Sequence, residues 1–303
     1  MRVALVGAVE STAVALRTFA RSDCELALVV TLPPDRSGRH SDYVDLTADA
    51  KSAGAEMFYT TQTNNAETIA AIRDAQPDYI FVIGWSQICG PEFLDIVPGK
   101  VIGYHPAALP RLRGRAALAW TILLDEKITA CSLFWMADGV DNGPILEQQY
   151  FHVAPRETAR SLYSKHMDAL DAALGRTLIM LAAGNTMPRM QDEACATYAV
   201  RRTAADGKIN WRRPAREIDR LVRATGKPYP GAFTYLKGAK LTIWSSELVE
   251  SALPYHAEPG QLVEDNIDGL LIQTTEGQIR ITDWSWEHEG RVPMHSVLGH
   301  SDG

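Results

Sequence analysis

The first half of the chain alternates short apolar runs with amphipathic stretches. Arg2 to Gly7, Glu25 to Thr31 and Tyr79 to Ile83 are β-rich runs, with Glu56 to Tyr59 as a shorter one. Between them Ser11 to Ala20, Tyr43 to Ala53 and Glu67 to Ala75 read as helices, and Pro33 to His40 as a loop. Apolar strands separated by helices predict a mostly parallel sheet covered on both faces. This is the doubly wound α/β pattern, whose ligands lie beyond the C-terminal strand ends. Pro155 to Gly184 is the longest helical stretch, with Leu162, His166, Leu170, Leu174 and Leu178 on one stripe. A histidine on such a stripe reads as a packed residue. Thr186 to Tyr198 reads as a linker, which sets a division into residues 1–190 and 191–303. Beyond it come a helix over Pro214 to Ala224 and short strands at Phe233 to Tyr235, Lys240 to Trp244, Gly260 to Glu264, Leu270 to Thr274 and Gln278 to Asp283. Several short strands at close spacing predict a small, OB-like β-barrel. Trp284, Trp286 and His288 alternate on the last strand and read as packing. The tail from Gly290 is expected to be mobile.

Composition narrows the class. A chain of 303 residues gives a prior of about two domains. Hydrophobic residues at 46% and charged residues at 22% exclude wholesale disorder. A net charge of −7 argues against a chain whose main task is gripping nucleic-acid phosphate. Cys24, Cys89, Cys131 and Cys195 form no close pair, so neither a zinc spacing nor a redox pair exists, and reduced cytoplasmic thiols are expected. The N-terminal apolar run is too short for a secretory signal, and no run reaches the ~18 apolar residues of a membrane helix. His288, His295 and His300 are too scattered for a metal site, and no metal dependence is expected. After the first strand, Gly7-Ala8-Val9-Glu10-Ser11-Thr12 has one glycine where a dinucleotide site needs three.

The segment richest in chemistry begins at Val101. A β-rich run ends in His105 and is followed by a Pro-bounded loop holding Arg111, Arg113 and Arg115. In an open α/β sheet, a histidine there lies at the mouth where substrates bind. Downstream, Asp138-Gly139-Val140-Asp141-Asn142-Gly143 puts two acids among glycines. Alone this is a turn. With His105 it offers a carboxylate to orient and charge-stabilise an imidazole, the base–orienter pairing of general acid–base catalysis.

His105-x-x-x-Leu109-Pro110-x-x-Arg113-Gly114, followed 36 positions after the histidine by Asp141 in Gly139-x-Asp141-x-Gly143, resembles the 10-formyltetrahydrofolate-dependent formyltransferases. Gly84-Trp85-Ser86-Gln87-Ile88 is similar to the family loop that lines the folate pocket. Asp206 to Trp211 and Pro228 to Ala232 resemble the C-terminal barrel domain of the two-domain members. The resemblance covers nearly the whole chain and makes residues 1–190 the catalytic domain. It implies attack of an amine on the formyl carbon of the folate. His105 would be the general base or proton shuttle and Asp141 its orienting carboxylate. Gly84, Trp85, Ser86, Gln87, Ile88, Leu109, Pro110 and Asp138 would contact the folate, and Arg111, Arg113 and Arg115 the acceptor. On these sequence grounds no metal and no membrane partner are expected, and a homodimer is compatible with the sequence.

One departure matters. The family carries Asn two residues before its histidine, donating to the developing oxyanion, and this chain has Gly103. Residues 103 and 105 share a strand face, so the glycine is expected to leave a gap beside His105. Either Asn142, Gln87 or an ordered water supplies the donor, or the gap admits an unusual acceptor, or the enzyme is weak or altered. The family's loop Ser is replaced by Ala107 and its Pro by Ala117. Arg113 to Trp120 looks more like sugar-nucleotide formyltransferases than the transfer-RNA enzymes, which favours a sugar-nucleotide amine as acceptor. Transfer RNA rests on Arg201 to Arg223, with eight basic residues against three acids. Yet residues 191–303 hold thirteen basic and sixteen acidic residues. An amino-acid-type amine such as hydroxyornithine, a folate hydrolase and a non-catalytic folate-binding module are the remaining alternatives.

Overall fold

The computed structural model describes residues 1–39, 42–249, 255–288 and 290–299. In chain order these form β1 (Arg2–Val6), α1 (Glu10–Ala20), β2 (Glu25–Thr31), α2 (Thr47–Ser52), β3 (Glu56–Tyr59), α3 (Ala66–Asp74), β4 (Tyr79–Val82), α4 (Pro91–Leu94), β5 (Val101–His105), β6 (Arg113–Gly114), α5 (Ala117–Leu123), β7 (Ile128–Trp135), β8 (Ile145–His152) and α6 (Ala159–Ala182). They continue with β9 (Tyr198–Ala199), α7 (Ala215–Thr225), β10 (Ala232–Leu236), β11 (Ala239–Leu248), β12 (Leu262–Asn266), β13 (Gly269–Gln273) and β14 (Gln278–Trp286). The residues divide into two compact units. The first comprises Met1–Ala117, Ile128–His152 and Ser164–Val200, and the second Leu118–Lys127, Val153–Tyr163 and Arg201–Gly303.

The first unit is built on a seven-stranded sheet of order β3-β2-β1-β4-β5-β7-β8. The five strands from β3 to β5 are parallel, and β7 and β8 add antiparallel to β5 and to each other. The strand order reverses between β1 and β4, and that crevice is filled by the chain itself. The Thr12 hydroxyl donates to the Ile83 carbonyl at 2.7 Å, and the Ala8 N–H to the Gly84 carbonyl at 3.2 Å. Gly84 has φ +73, and a Cβ on it would strike Val9, Ser11 and Thr12. On α6 the stripe of Leu162, His166, Leu170, Leu174 and Leu178 is buried.

The second unit is a five-stranded antiparallel sheet of order β10-β11-β14-β13-β12. Ile218 and Val222 of α7 pack with Trp211, Ile243, Ile279 and Ile281, and Trp284 and Trp286 lie against the same core. The expectation of a mobile tail from Gly290 is corrected over residues 290–299, the remainder with His300 lying outside the described residues: Val292 and Leu298 belong to this core, and Leu298 N–H donates to the Gly260 carbonyl at 2.9 Å. An apolar side chain that fills a core is ordered by the burial, whatever its distance from the terminus. Among the described residues, no helix is long and apolar enough to cross a membrane.

Candidate active site

His105 ends β5, directly opposite Ser132 of β7, and is buried. Its Nδ1 lies 3.3 Å from Asp141 Oδ2, and its Nε2 lies 2.7 Å from the Leu112 carbonyl oxygen. Asp141 Oδ2 also accepts from the Gly114 N–H at 2.8 Å. Residues 36 apart in sequence thus share one contact. The tautomer with hydrogen on Nε2 satisfies Leu112 and leaves Nδ1 facing the carboxylate; the imidazolium donates to both.

The loop between His105 and Arg115 is held from several sides. Ser132 Oγ donates to the Ala107 carbonyl at 2.6 Å, and Gln148 Nε2 donates to Ser132 Oγ and to the Leu109 carbonyl. Leu109 is buried against Phe134 and Ile145, and the Pro110 carbonyl accepts from Thr197 N–H. Leu112 has φ +58, a conformation rare for a branched side chain, and this turns its carbonyl towards His105.

The expected gap at Gly103 is absent. Gly103 stands opposite Phe134 in the β5–β7 register. A Cβ on it would lie 2.7 and 2.9 Å from Phe134 ring carbons and 3.1 Å from Met136 Cγ. The room left by the missing side chain is taken by these two neighbours, because a packed interior does not keep a void it can fill. The two side chains expected to replace the lost donor are engaged elsewhere. Gln87 accepts from Thr63 N–H and hydroxyl and donates to the Thr61 carbonyl, while Asn142 Nδ2 donates to the Asp138 carbonyl.

The stretch from Gly84 to Ile88 leaves β4 beside the strand-order reversal and is pinned to residues 61–64. Trp85 Nε1 donates to Thr63 Oγ1 at 2.6 Å, and Asn64 donates to the Ile88 carbonyl and accepts from Gly90 N–H. Ser86, Ile88 and Asp138 are exposed.

The three loop arginines have different environments. Arg113 is fully buried and faces inward. It donates to Gln191 Oε1 through Nε and Nη2, to both oxygens of Glu193, and to the Tyr198 hydroxyl. The Glu193 carboxylate raises the Arg113 pKa above its ordinary value, and Arg113 lowers that of Glu193. All five N–H groups of this guanidinium thus go to side chains of the chain itself. Arg111 and Arg115 are exposed, and among the described residues the Arg115 side chain has no ion pair or hydrogen bond.

Sequence reading missed Gln191, Glu193, Thr197 and Tyr198 altogether. The linker expected there is stitched to the site loop: β6 pairs with β9, Arg113 N–H donates to the Thr197 carbonyl and Arg115 N–H to that of Ala199. No local pattern marks such a segment, since its partners lie about 80 residues earlier. Half of the eight basic residues in the run of the second unit are in ion pairs. Arg213 pairs with Glu217, Arg216 with Glu276, Arg220 with Asp125 and Arg223 with buried Asp219, while Arg202 lies over the Trp120 ring. Arg201 and Arg212 stay exposed. Among the described residues, no three His, Cys, Asp or Glu side chains are grouped to hold a metal ion.

Residues 2–178 match the formyl transferase domain, and residues 201–301 match the formyl transferase C-terminal domain. The methionyl-tRNA formyltransferase of Acetivibrio thermocellus is 28% identical over 307 residues, covering 100% of this chain and 98% of its own. That of Agathobacter rectalis is 29% identical over 301 residues, covering 98% and 96%. Among solved structures, a sugar 3-N-formyltransferase determined with dTDP and 5-N-formyl-THF superposes with a TM-score of 0.70 at 18% identity, over 93% of this chain and 97% of its own. An N-formyltransferase from Helicobacter canadensis, complexed with folinic acid and dTDP-3-aminofucose, gives 0.69 at 18% identity, over 92% and 98%. These two likenesses concern the fold. The matches to both domains, in series along the chain, show that it belongs to the formyl transferase family and is a transferase enzyme.

Proposed function

We propose that the protein transfers the formyl group of 10-formyltetrahydrofolate to the amino group of an amino-sugar nucleotide. The observation that carries the reading is the His105–Asp141 contact at the C-terminal end of β5. The amine nitrogen attacks the formyl carbon, a new C–N bond forms, and the bond from that carbon to the folate nitrogen breaks. The His105–Asp141 pair takes up the amine's proton, leaving an imidazolium that donates from Nε2 to the Leu112 carbonyl and from Nδ1 to Asp141. The same proton then goes to the departing folate nitrogen. A positioned base of this kind contributes roughly 10²–10⁴-fold in rate. With Phe134 over Gly103, the negative charge developing on the formyl oxygen is balanced by the imidazolium. The folate would rest on Gly84, Trp85, Ser86, Gln87 and Ile88, with Leu109, Pro110 and Asp138 bordering it.

The free, exposed Arg115 and its neighbour Arg111 support a diphosphate-bearing acceptor, since forked donors suit phosphate. The internally paired Arg213, Arg216, Arg220 and Arg223 count against a phosphate footprint for transfer RNA. Full-length similarity to two methionyl-tRNA formyltransferases favours the second reading, an aminoacylated transfer RNA as acceptor. A spectroscopic assay of tetrahydrofolate release separates them. Release that requires a dTDP-amino sugar, and not methionyl-tRNA, is the expected result. Dependence on methionyl-tRNA selects the second reading. Release without any amine means hydrolysis, and folate binding with no release under any condition means a binding module.

A further inference from the structure

Asp141 occupies a costly position. It lies in an exposed stretch, with residues 137–140 open to solvent, and has φ +51, which only glycine adopts freely. Its carboxylate must nevertheless stay within reach of His105 Nδ1 and Gly114 N–H. An exposed turn does not hold such a geometry by itself; buried hydrogen bonds must do so.

One side chain supplies them. Gln191 is buried, and its Nε2 donates to the Asp141 carbonyl and to the Gly143 carbonyl, both at 2.7 Å. Both amide hydrogens are therefore used to clamp the two ends of the Asp141-Asn142-Gly143 turn. Gly143 is pressed against β7, where a Cβ would collide with the Trp135 carbonyl. The amide oxygen of Gln191 accepts from Arg113 Nε and Nη2, which fixes the amide's orientation so that its nitrogen faces the turn. Arg113 in turn is locked by Glu193 and Tyr198. The chain of contacts runs Glu193–Arg113–Gln191–Asp141–His105, with Arg113, Gln191 and His105 buried, Asp141 half-buried and the outer carboxylate exposed.

We infer that Gln191 is a positioning residue for the His105–Asp141 pair, acting through the Asp141 backbone. The inference rests on the proposed role of that pair in catalysis. It assigns a task to a residue that lies between the stretches matching the two formyl transferase domains.

The test uses the full chain with Gln191→Ala and Gln191→Glu. Glu keeps the length and the oxygen facing Arg113 but removes both donated hydrogens. In both variants kcat is expected to fall about 10- to 100-fold, the cost of a catalytic group displaced by about an ångström, with the KM of each substrate within about threefold. Hydrogen exchange gives a readout that does not depend on turnover. The Gly114 amide, bonded to Asp141 Oδ2, should exchange about tenfold faster or more, while the Arg113 and Arg115 amides, bonded to Thr197 and Ala199, stay protected. Wild-type exchange at Gly114, or loss of protection at all three amides, overturns the inference: the first shows that Gln191 holds nothing, the second that it holds the whole loop. Accelerated Gly114 exchange with unchanged kcat leaves Gln191 as a clamp without a catalytic consequence and also overturns it. If the wild-type protein shows no turnover, the proposed activity fails, and the exchange arm still reads the clamp.

Discussion

Two buried histidines of the first unit set the terms of comparison. His105, at the rim of the sheet, has an acceptor on each ring nitrogen: the Leu112 carbonyl on one and Asp141 on the other. His166, inside α6, lies edge-on to Phe151, and among the described residues neither of its nitrogens has a hydrogen-bond partner. Burial pushes the His166 pKa from 6.5 down to about 3, with the charge of His105 adding to the effect. Both side chains are hidden from water, yet one has an acceptor at each ring nitrogen and the other has none among the described residues. What separates them is the set of partners, because in a low-dielectric interior an ionised ring persists only where acceptors meet its hydrogens.

The sharpest way to break this contrast is at His105. His105→Ala and Asp141→Ala should each reduce kcat by about 10²–10⁴-fold while the melting temperature stays within a few degrees. A near wild-type rate in either variant removes the pair from the mechanism. The next effect is at Gly103. Asn in its place must displace the Phe134 ring and Met136, so Gly103→Asn should lose about 1–3 kcal/mol of stability by denaturant unfolding, together with activity. An equally stable and more active variant would show that the space can be reopened.

His166 then supplies the pH term. Its folded pKa lies below its unfolded one, so between pH 6.5 and about 3 the unfolded chain binds a proton that the folded chain refuses. Stability from this group is intact above pH 6.5 and is lost progressively as pH falls, by about 2 kcal/mol at pH 5. His166→Leu should flatten that part of the acid side of the stability profile, since it replaces an unpartnered polar ring with an apolar one. An unchanged pH profile would mean that the ring does become protonated in the fold. The smallest effect concerns the exposed cations. Arg115→Ala should raise acceptor KM about tenfold with little change in kcat, and Arg216→Ala, which breaks only a surface pair with Glu276, should change neither. Equal effects from the two would end the distinction between a free and a paired arginine.

Much of the fold was legible because its signals are local. β1, β2 and β4 are continuous apolar runs, and the α6 stripe repeats at helical spacing, so both periods can be counted along the chain. β8 was not, because Ile145–His152 places Glu-Gln-Gln between apolar residues and pairs antiparallel at the sheet edge. The tail was misread for the same reason: nothing near Leu298 announces that it enters a core. At the site, His105 and Asp141 could be named from spacing and resemblance, and the structure brings them together. Arg113 could be named, but not the direction it faces.

By itself, the sequence determined the fold class, the family, and the residue types available for proton transfer. Periodicity and motif spacing are written in neighbours a few residues apart. Tertiary structure alone decided that Phe134 fills the space at Gly103, that Arg113 is locked while Arg115 is free, and that residues 191–199 brace the loop of His105. Those outcomes depend on side chains that meet from 27 to 85 positions apart. Only the closing of the chain on itself selects which of them share an interior, and an interior tolerates neither a void nor an unpaired charge.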